Sequence, residues 1–183
     1  LVAPFEKLTF KLLLVLALGL LVHINSVNSG YLKHAGLIDL DTAYYRAFVL
    51  TQKNKANGRE LRTLSTDALG GQSLMYLDDP TALTGDYTQY YHLALHYNPD
   101  IKRILIIGGG AYTVPKYFLA NYPEIKLDVV EIDPGMTRIA RDYFELRDHP
   151  ALSIFHEDAR RFISRSAPSV YDAVFVDAFG SSP

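Results

Sequence analysis

The sequence predicts an α/β fold: a Rossmann-like parallel sheet flanked by helices, preceded by a small antiparallel β subdomain and an N-terminal apolar helix. Three observations carry this expectation. From Arg103 onward, short apolar runs alternate with segments at helical spacing, and strand–helix alternation builds a parallel sheet. Runs such as Ile104-Leu105-Ile106-Ile107 are apolar throughout, as strands covered on both faces are. Between Gly36 and Asp79 the pieces are shorter and broken by polar turn residues, the pattern of an antiparallel meander.

Taken in order, Leu12 to Ile24 is an almost unbroken apolar run of 13 residues, preceded by Lys7 and Lys11 and followed by polar Asn25 to Gly30. A bilayer span takes roughly 20 apolar residues, whereas a signal-peptide core takes about 7 to 15. Length favours a signal segment over residues 1–29, which would make the protein secreted. The lack of a small-x-small cleavage pattern favours a membrane anchor within 1–30, and that reading is preferred. The last helix of a larger membrane domain and a buried core helix stay open. Lys7 and Lys11 would hold the N-terminus in the cytoplasm. A single anchor so oriented would export the rest of the chain, whereas additional upstream helices would keep a catalytic domain cytoplasmic.

Residues 36–85 form the β subdomain, with Tyr44 to Leu50 and Leu61 to Leu64 as strands around a turn at Asn54 to Arg59. Residues 86–183 form the Rossmann-like domain. It opens with a helix over Asp86 to Tyr97 that presents Tyr87, Tyr90, Tyr91, Ala94 and Leu95 on one face and ends before Pro99. Strands then follow at Arg103–Ile107, Leu127–Glu131, Ser153–His156 and Ala173–Val176, separated by helices at Thr113–Asn121, Pro134–Leu146 and Ala159–Ser164. The chain opens on Leu1 and stops at Pro183 soon after a strand, so it is expected to be a fragment with an unpaired sheet edge, inactive by itself.

Composition narrows the chemistry. With 183 residues the chain has room for one catalytic core, and 49% hydrophobic against 21% charged residues is enough to fold it. A formal charge of −2 without a dense Lys/Arg run gives no electrostatic basis for a nucleic-acid partner. Without cysteine there are no disulfides, thiolate metal sites or thiol nucleophiles. His92 and His96 lie four apart, but in a helix rich in aromatic residues, where packing or surface roles outweigh a ligand role, so no metal is expected.

The candidate site residues sit where strands end. Gly108-Gly109-Gly110 follow the first parallel strand, and glycines let the backbone turn sharply and approach a ligand while the next helix points free N–H groups inward. A G-x-G-x-x-G fingerprint would need glycine at Thr113, which disfavours dinucleotide binding, and a purely structural turn stays open. Glu131 ends the next strand 23 residues after Gly108, the spacing at which a carboxylate accepts hydrogen bonds from ribose hydroxyls. Asp133-Pro134 reads as a helix cap with proline at the first helical position. In Glu157-Asp158-Ala159-Arg160 an acidic side chain could take an adenine amino group or cap the next helix. Asp177 ends the fourth strand, where a carboxylate could bind a cationic substrate or accept a proton.

In this order the motifs resemble those of the spermidine synthase (polyamine aminopropyltransferase) family over roughly Gly36 to Pro183, and the chain ends look most like the membrane-domain-associated branch. Ile104 to Gly110 is similar to the family's strand and glycine loop. Val130-Glu131-Ile132-Asp133-Pro134 is similar to its ribose-binding strand end, and Glu157-Asp158-Ala159-Arg160 to its adenine-binding turn. Asp41-Thr42-Ala43-Tyr44 resembles the family's Asp-Ser-Pro-Tyr strand, Gln72 its substrate-side glutamine, and Tyr87 the tyrosine opening its Tyr-x-Glu helix, with Gln89 in place of the glutamate.

The resemblance implies a class I methyltransferase-type sheet and transfer of an aminopropyl group from decarboxylated S-adenosylmethionine to a polyamine such as putrescine, without metal. It assigns donor binding to Gln72, Gly108, Gly109, Gly110, Glu131, Ile132, Asp158 and Ala159, acceptor binding to Tyr44 and Tyr87, and catalysis to Asp177. Two departures stand out: Ala111 follows the glycines where the family carries aspartate, and Gly180 replaces a second aspartate in the substrate loop. They keep open an S-adenosylmethionine-dependent methyltransferase and a non-catalytic nucleoside-binding homologue. A homodimer is also open.

Overall fold

The computed structural model describes residues 13–23, 36–66 and 73–178. The chain divides into two units, 1–38 and 39–183. In the first, residues 13–23 form a helix, α1, whose leucines and valines are solvent-facing. No helix among the described residues is long and apolar enough to cross a membrane, so they lend the expected anchor no support.

From Ile38 onward the chain forms two four-stranded sheets. The first runs β1 (Ile38–Asp41), β2 (Arg46–Lys53), β3 (Glu60–Ser65) and β4 (Ser73–Tyr76) in chain order. β2 pairs antiparallel with β3, and β3 with β4. The polar turn lies where expected: Asn54 N–H donates to Arg59 O at 2.8 Å and Gly58 N–H to Asn54 O at 2.8 Å. Two of the four strands, β1 and β4, are only four residues long, too short for a readable alternation. Ala47, Val49, Leu64 and Met75 bury one side of this sheet.

Asp86–Tyr91 is a 3-10 turn that runs into α2 (His92–Tyr97), so the expected helix is divided. The tight start is held by Thr88, whose N–H and hydroxyl both donate to Gly85 O.

Then come β5 (Arg103–Ile107), α3 (Thr113–Asn121), β6 (Lys126–Val130), α4 (Pro134–Tyr143), β7 (Leu152–Phe155), α5 (Ala159–Arg165) and β8 (Ala173–Val176). The strands are parallel in the order β7-β6-β5-β8. The chain therefore steps outward from β5 to β7 and returns to the other side of β5, which puts the topological switch point between β5 and β8. One sheet face carries Ile104, Ile106, Leu127, Val129 and Phe175 against Phe118, Ala140 and Leu146. The other is thinner, with Leu105, Ile107 and Val130 packed on Phe162 of α5. On that side Val174 and Val176 of edge strand β8 are exposed.

α4 ends three residues earlier than the sequence pattern predicts. Glu145 takes a left-handed φ of 57°, and Leu146 N–H turns back to Ala140 O at 3.1 Å.

Candidate functional site

The carboxyl ends of β5, β6 and β8 meet at one rim because the three strands are in register, Ile107 pairing with both Val130 and Val176. Gly108 follows β5 with φ of 94°, and its backbone lies so near β8's end that a Cβ would come 2.3 Å from Asp177 O. Only glycine lets the two strand ends approach this closely. A Cβ on Gly109 would meet the Tyr112 ring at 2.5 Å. That ring is buried, and its hydroxyl shares a 2.7 Å hydrogen bond with Thr137 Oγ1. The glycine loop is thus floored by an aromatic ring and walled by a neighbouring strand.

A cleft of about 580 Å³ opens over this rim, within the usual range for small-molecule sites. Gly108, Gly109 and Gly110, then Glu131 and Ile132, then Asp158 and Ala159, and finally Tyr87 and Asp177 all line it, so these sequence candidates come together. Gln72 lies outside the described residues. Tyr44 does not line the cleft. Its side chain is 57% exposed, and Tyr45 occupies the lining instead. The reason is local: Thr42 Oγ1 and Tyr44 N–H both donate to Asp133 Oδ2, so the β1–β2 bend docks on the start of α4 and turns Tyr45 inward.

Glu131 is only 6% exposed. Its Oε2 accepts Gly109 N–H at 2.8 Å and its Oε1 accepts Asp133 N–H at 2.9 Å. An ionised carboxylate offers about four lone-pair sites. One is spent on the glycine loop and one on the start of α4, and two remain for a ligand. Asp133, also buried, caps α4 by accepting Gly135 N–H at 2.8 Å, the structural role its sequence context predicts.

Asp158 caps α5, its Oδ1 accepting Arg160 N–H at 2.8 Å. The Arg160 guanidinium beside it, helped by those backbone N–H groups, holds its carboxyl down at about 2. Arg160 is 91% exposed, so this pair is of the weak surface kind. Glu157 is paired with Arg165, which lowers its carboxyl as well.

Asp177 meets two phenols. Tyr87 hydroxyl donates to Asp177 Oδ2 at 3.3 Å, and the charge of the same carboxylate acts on Tyr91. Burial, then the Asp177 charge, pushes Tyr87 up to about 12 and raises Tyr91 as well. Both phenols therefore stay protonated and serve as donors at neutral pH. Tyr91 stacks between Tyr87, at 6.4 Å edge-on, and Phe175, at 4.7 Å. The sequence pattern places Tyr91 on the same helix face as Tyr87, and the structure sets it beside Tyr87 at Asp177.

Asp177, Tyr87, Ser73, Gly108 and Gly109 also line a second cavity of about 60 Å³ beside the cleft. Ala111 is fully buried, with its N–H on Ser73 Oγ at 3.2 Å, and lines neither space. Gly180 lies outside the described residues. Among the described residues, no three acidic or histidine side chains converge as metal ligands would.

Comparison with known proteins follows the same lines. The family model for the spermine/spermidine synthase domain matches residues 87–181. The chain is 38% identical to a polyamine aminopropyltransferase of Vibrio vulnificus over 95 residues, covering 51% of this chain and 32% of that one. It is 29% identical to a polyamine aminopropyltransferase of Streptococcus pneumoniae over 134 residues, covering 68% and 46%. It thus spans less than half the length of these relatives. Among solved structures it is similar to a probable spermidine synthase from Corynebacterium glutamicum, with TM-score 0.65 and 24% identity over 79% of this chain and 53% of that one. A spermidine synthase in complex with the transition state analogue AdoDATO gives TM-score 0.54 and 18% identity, covering 78% and 46%. At these identities the structural matches establish the fold.

Proposed function

The chain belongs to the spermine/spermidine synthase family, and from that premise we propose that its cleft transfers an aminopropyl group from decarboxylated S-adenosylmethionine to an amine acceptor. The observation that carries this reading is the place of Asp177. Its carboxylate lies at the switch point of the sheet and lines both the large cleft and the small cavity, where a nucleophile from one would meet an electrophile from the other.

The cleft suits an adenine nucleoside on this chain's own geometry. Glu131 holds two lone-pair sites free for ribose hydroxyls, at the strand end next to the glycine loop. Asp158 keeps Oδ2 on the exposed Arg160 side chain, which can swing away and leave that oxygen to an adenine amino group. Gly108, Gly109 and Gly110 leave room where side chains would otherwise stand.

The reaction is a substitution at the methylene beside a sulfonium. An alkylammonium has a pKa near 10, so at neutral pH the acceptor must lose a proton before it attacks. Asp177 orients the amine and receives that proton, while Tyr87 fixes the carboxylate through a hydrogen bond to it. The amine lone pair forms the new C–N bond, the C–S pair leaves on sulfur, and methylthioadenosine departs neutral.

Asp177→Asn tests the assignment. It should leave affinity for the donor within about twofold while lowering turnover by about 10² or more, the usual scale of a lost general base. Calorimetric titration with the donor and an assay of methylthioadenosine release read the two separately. An equal loss of both would show that Asp177 is a binding residue and not the base.

A further inference from the structure

The glycine loop and the turn at Glu157 and Asp158 stand on opposite sides of β6, because β6 lies between β5 and β7 in the sheet. A nucleoside lying across the end of β6 meets both. Behind the cleft wall, three side chains make the same crossing. Tyr112, just before α3, packs its buried ring against Gly109, and its hydroxyl shares the 2.7 Å hydrogen bond with Thr137 Oγ1. Thr137 lies on α4, 2% exposed and next to Met136 of the cleft lining. Its Oγ1 shares a second hydrogen bond, at 2.9 Å, with Nε2 of His156. His156 directly follows β7 and precedes Glu157, another lining residue. One hydroxyl thus joins the two neighbours of β6 to each other.

A threonine hydroxyl has one donor and two acceptor lone pairs, so it can serve both partners whichever way the protons run. Tyr112 depends on such an anchor. Its backbone is left-handed, with φ of 55°, a conformation uncommon for a bulky side chain. It persists where the surroundings over-determine it, here through a buried ring and a tethered phenol. Gly109 is held from both directions, with the ring against its Cα and Glu131 Oε2 on its N–H. The position of the loop is therefore set partly from α4 and the end of β7.

We propose that Thr137 is a positioning residue for the donor: its hydroxyl fixes the spacing between the glycine loop and the Glu157–Asp158 turn, so that both stay matched to one nucleoside. The inference rests on the nucleoside-binding part of the reading above and adds to it a residue that touches neither substrate. Without the bridge the rim holds the matched spacing for a smaller fraction of the time, and apparent donor affinity falls by that fraction. Asp177 follows β8, on the far side of β5 from the bridge, so the step on bound donor keeps its rate.

Two variants of the full-length protein test this: Thr137→Val, which keeps the shape and removes the hydroxyl, and Thr137→Ser, which keeps the hydroxyl. Calorimetry with methylthioadenosine reads affinity, and methylthioadenosine release from decarboxylated S-adenosylmethionine with 1,4-diaminobutane reads KM and kcat. Thr137→Val should weaken binding and raise donor KM about tenfold, the worth of one or two net hydrogen bonds, with kcat within about twofold. Thr137→Ser should return affinity to within about twofold of the wild type. A folded Thr137→Val with wild-type affinity overturns the inference, as does a Ser variant as weak as the Val one, which would place the effect in the methyl group. If Thr137→Val does not fold, Tyr112→Phe keeps the ring under Gly109 and cuts one arm of the bridge. It should raise donor KM at least about threefold, and an unchanged KM overturns the inference. Wild-type protein that binds methylthioadenosine without turnover would sink aminopropyl transfer and leave the bridge to the affinities, whereas no binding at all would sink both.

Discussion

Glu131 does two jobs with one carboxylate. It accepts the N–H groups of Gly109 and Asp133, which ties the glycine loop to the start of α4, and it faces the cleft with its remaining lone pairs. Its place was readable in the sequence, since an acidic residue ending an apolar strand some way after a glycine turn has few other uses. The first job was not, because a hydrogen bond to a backbone 22 residues away leaves no trace in composition or spacing. Tyr45 was missed for a related reason: which of two adjacent tyrosines turns inward depends on Thr42 docking against Asp133. Glu131→Ala should weaken donor binding by about 1.5 to 3 kcal/mol, the range for hydrogen bonds to a charged group. It should also lower fold stability by about 1 to 3 kcal/mol through the Asp133 N–H, which is left buried without a partner. Calorimetry reads the first effect and urea unfolding the second. Full donor affinity in a destabilised variant would confine Glu131 to holding the loop.

At the scale of elements, α4 is fixed at both ends by other parts of the chain. Its first turn is capped by Asp133, whose second oxygen takes the Thr42 hydroxyl and Tyr44 N–H from the β1–β2 bend. At its last turn and C-cap, Arg62 of β3 donates to Tyr143 O at 2.7 Å and Lys116 of α3 to Phe144 O at 2.5 Å, two cations on a helix C-terminus. The antiparallel sheet therefore grips the helix that begins beside the cleft, and the rim inherits its position from that grip. Asp-Pro before an amphipathic run announced the N-terminal cap, but the C-terminal partners come from residues far away in sequence and were not legible. Asp133→Ala should cost about 2 kcal/mol or more, combining a lost cap with the loss of the Thr42 and Tyr44 hydrogen bonds that dock the β1–β2 bend. Asp133→Asn, which keeps a capping oxygen, should cost less than half as much. Urea midpoints at unchanged slope measure both. Equal costs for the two variants would mean that the charge, and not the cap geometry, holds the bend.

Across the whole molecule, the parallel sheet was the most legible part, because continuous apolar runs separated by helical segments admit few arrangements once crossovers are right-handed. The short strands β1 and β4 were not, since their pairing depends on β2 and β3 lying between them. Where the antiparallel sheet, α3 and α4 meet, Lys116 is buried at 7% exposure, with Nζ on Phe144 O and 3.1 Å from Met75 Sδ of β4. Burial pushes this ammonium down to about 8, with the Glu145 charge opposing. Between that value and the ordinary lysine range, the unfolded chain binds a proton that the folded chain does not, so stability rises with pH across about 8 to 10. Above about 10 the sign reverses. Tyr87 and Tyr171 are raised to about 12, and Tyr91 and Tyr112 are raised as well, so the folded state then holds protons that the unfolded state has released. Stability should therefore pass through a maximum near pH 10. Urea unfolding from pH 7.5 to 9.5 should show the midpoint climbing in the wild type and staying level in Lys116→Met, which keeps the bulk and removes the titrating group. A parallel climb in both would place the titration elsewhere and leave Lys116 as a packing residue at this junction.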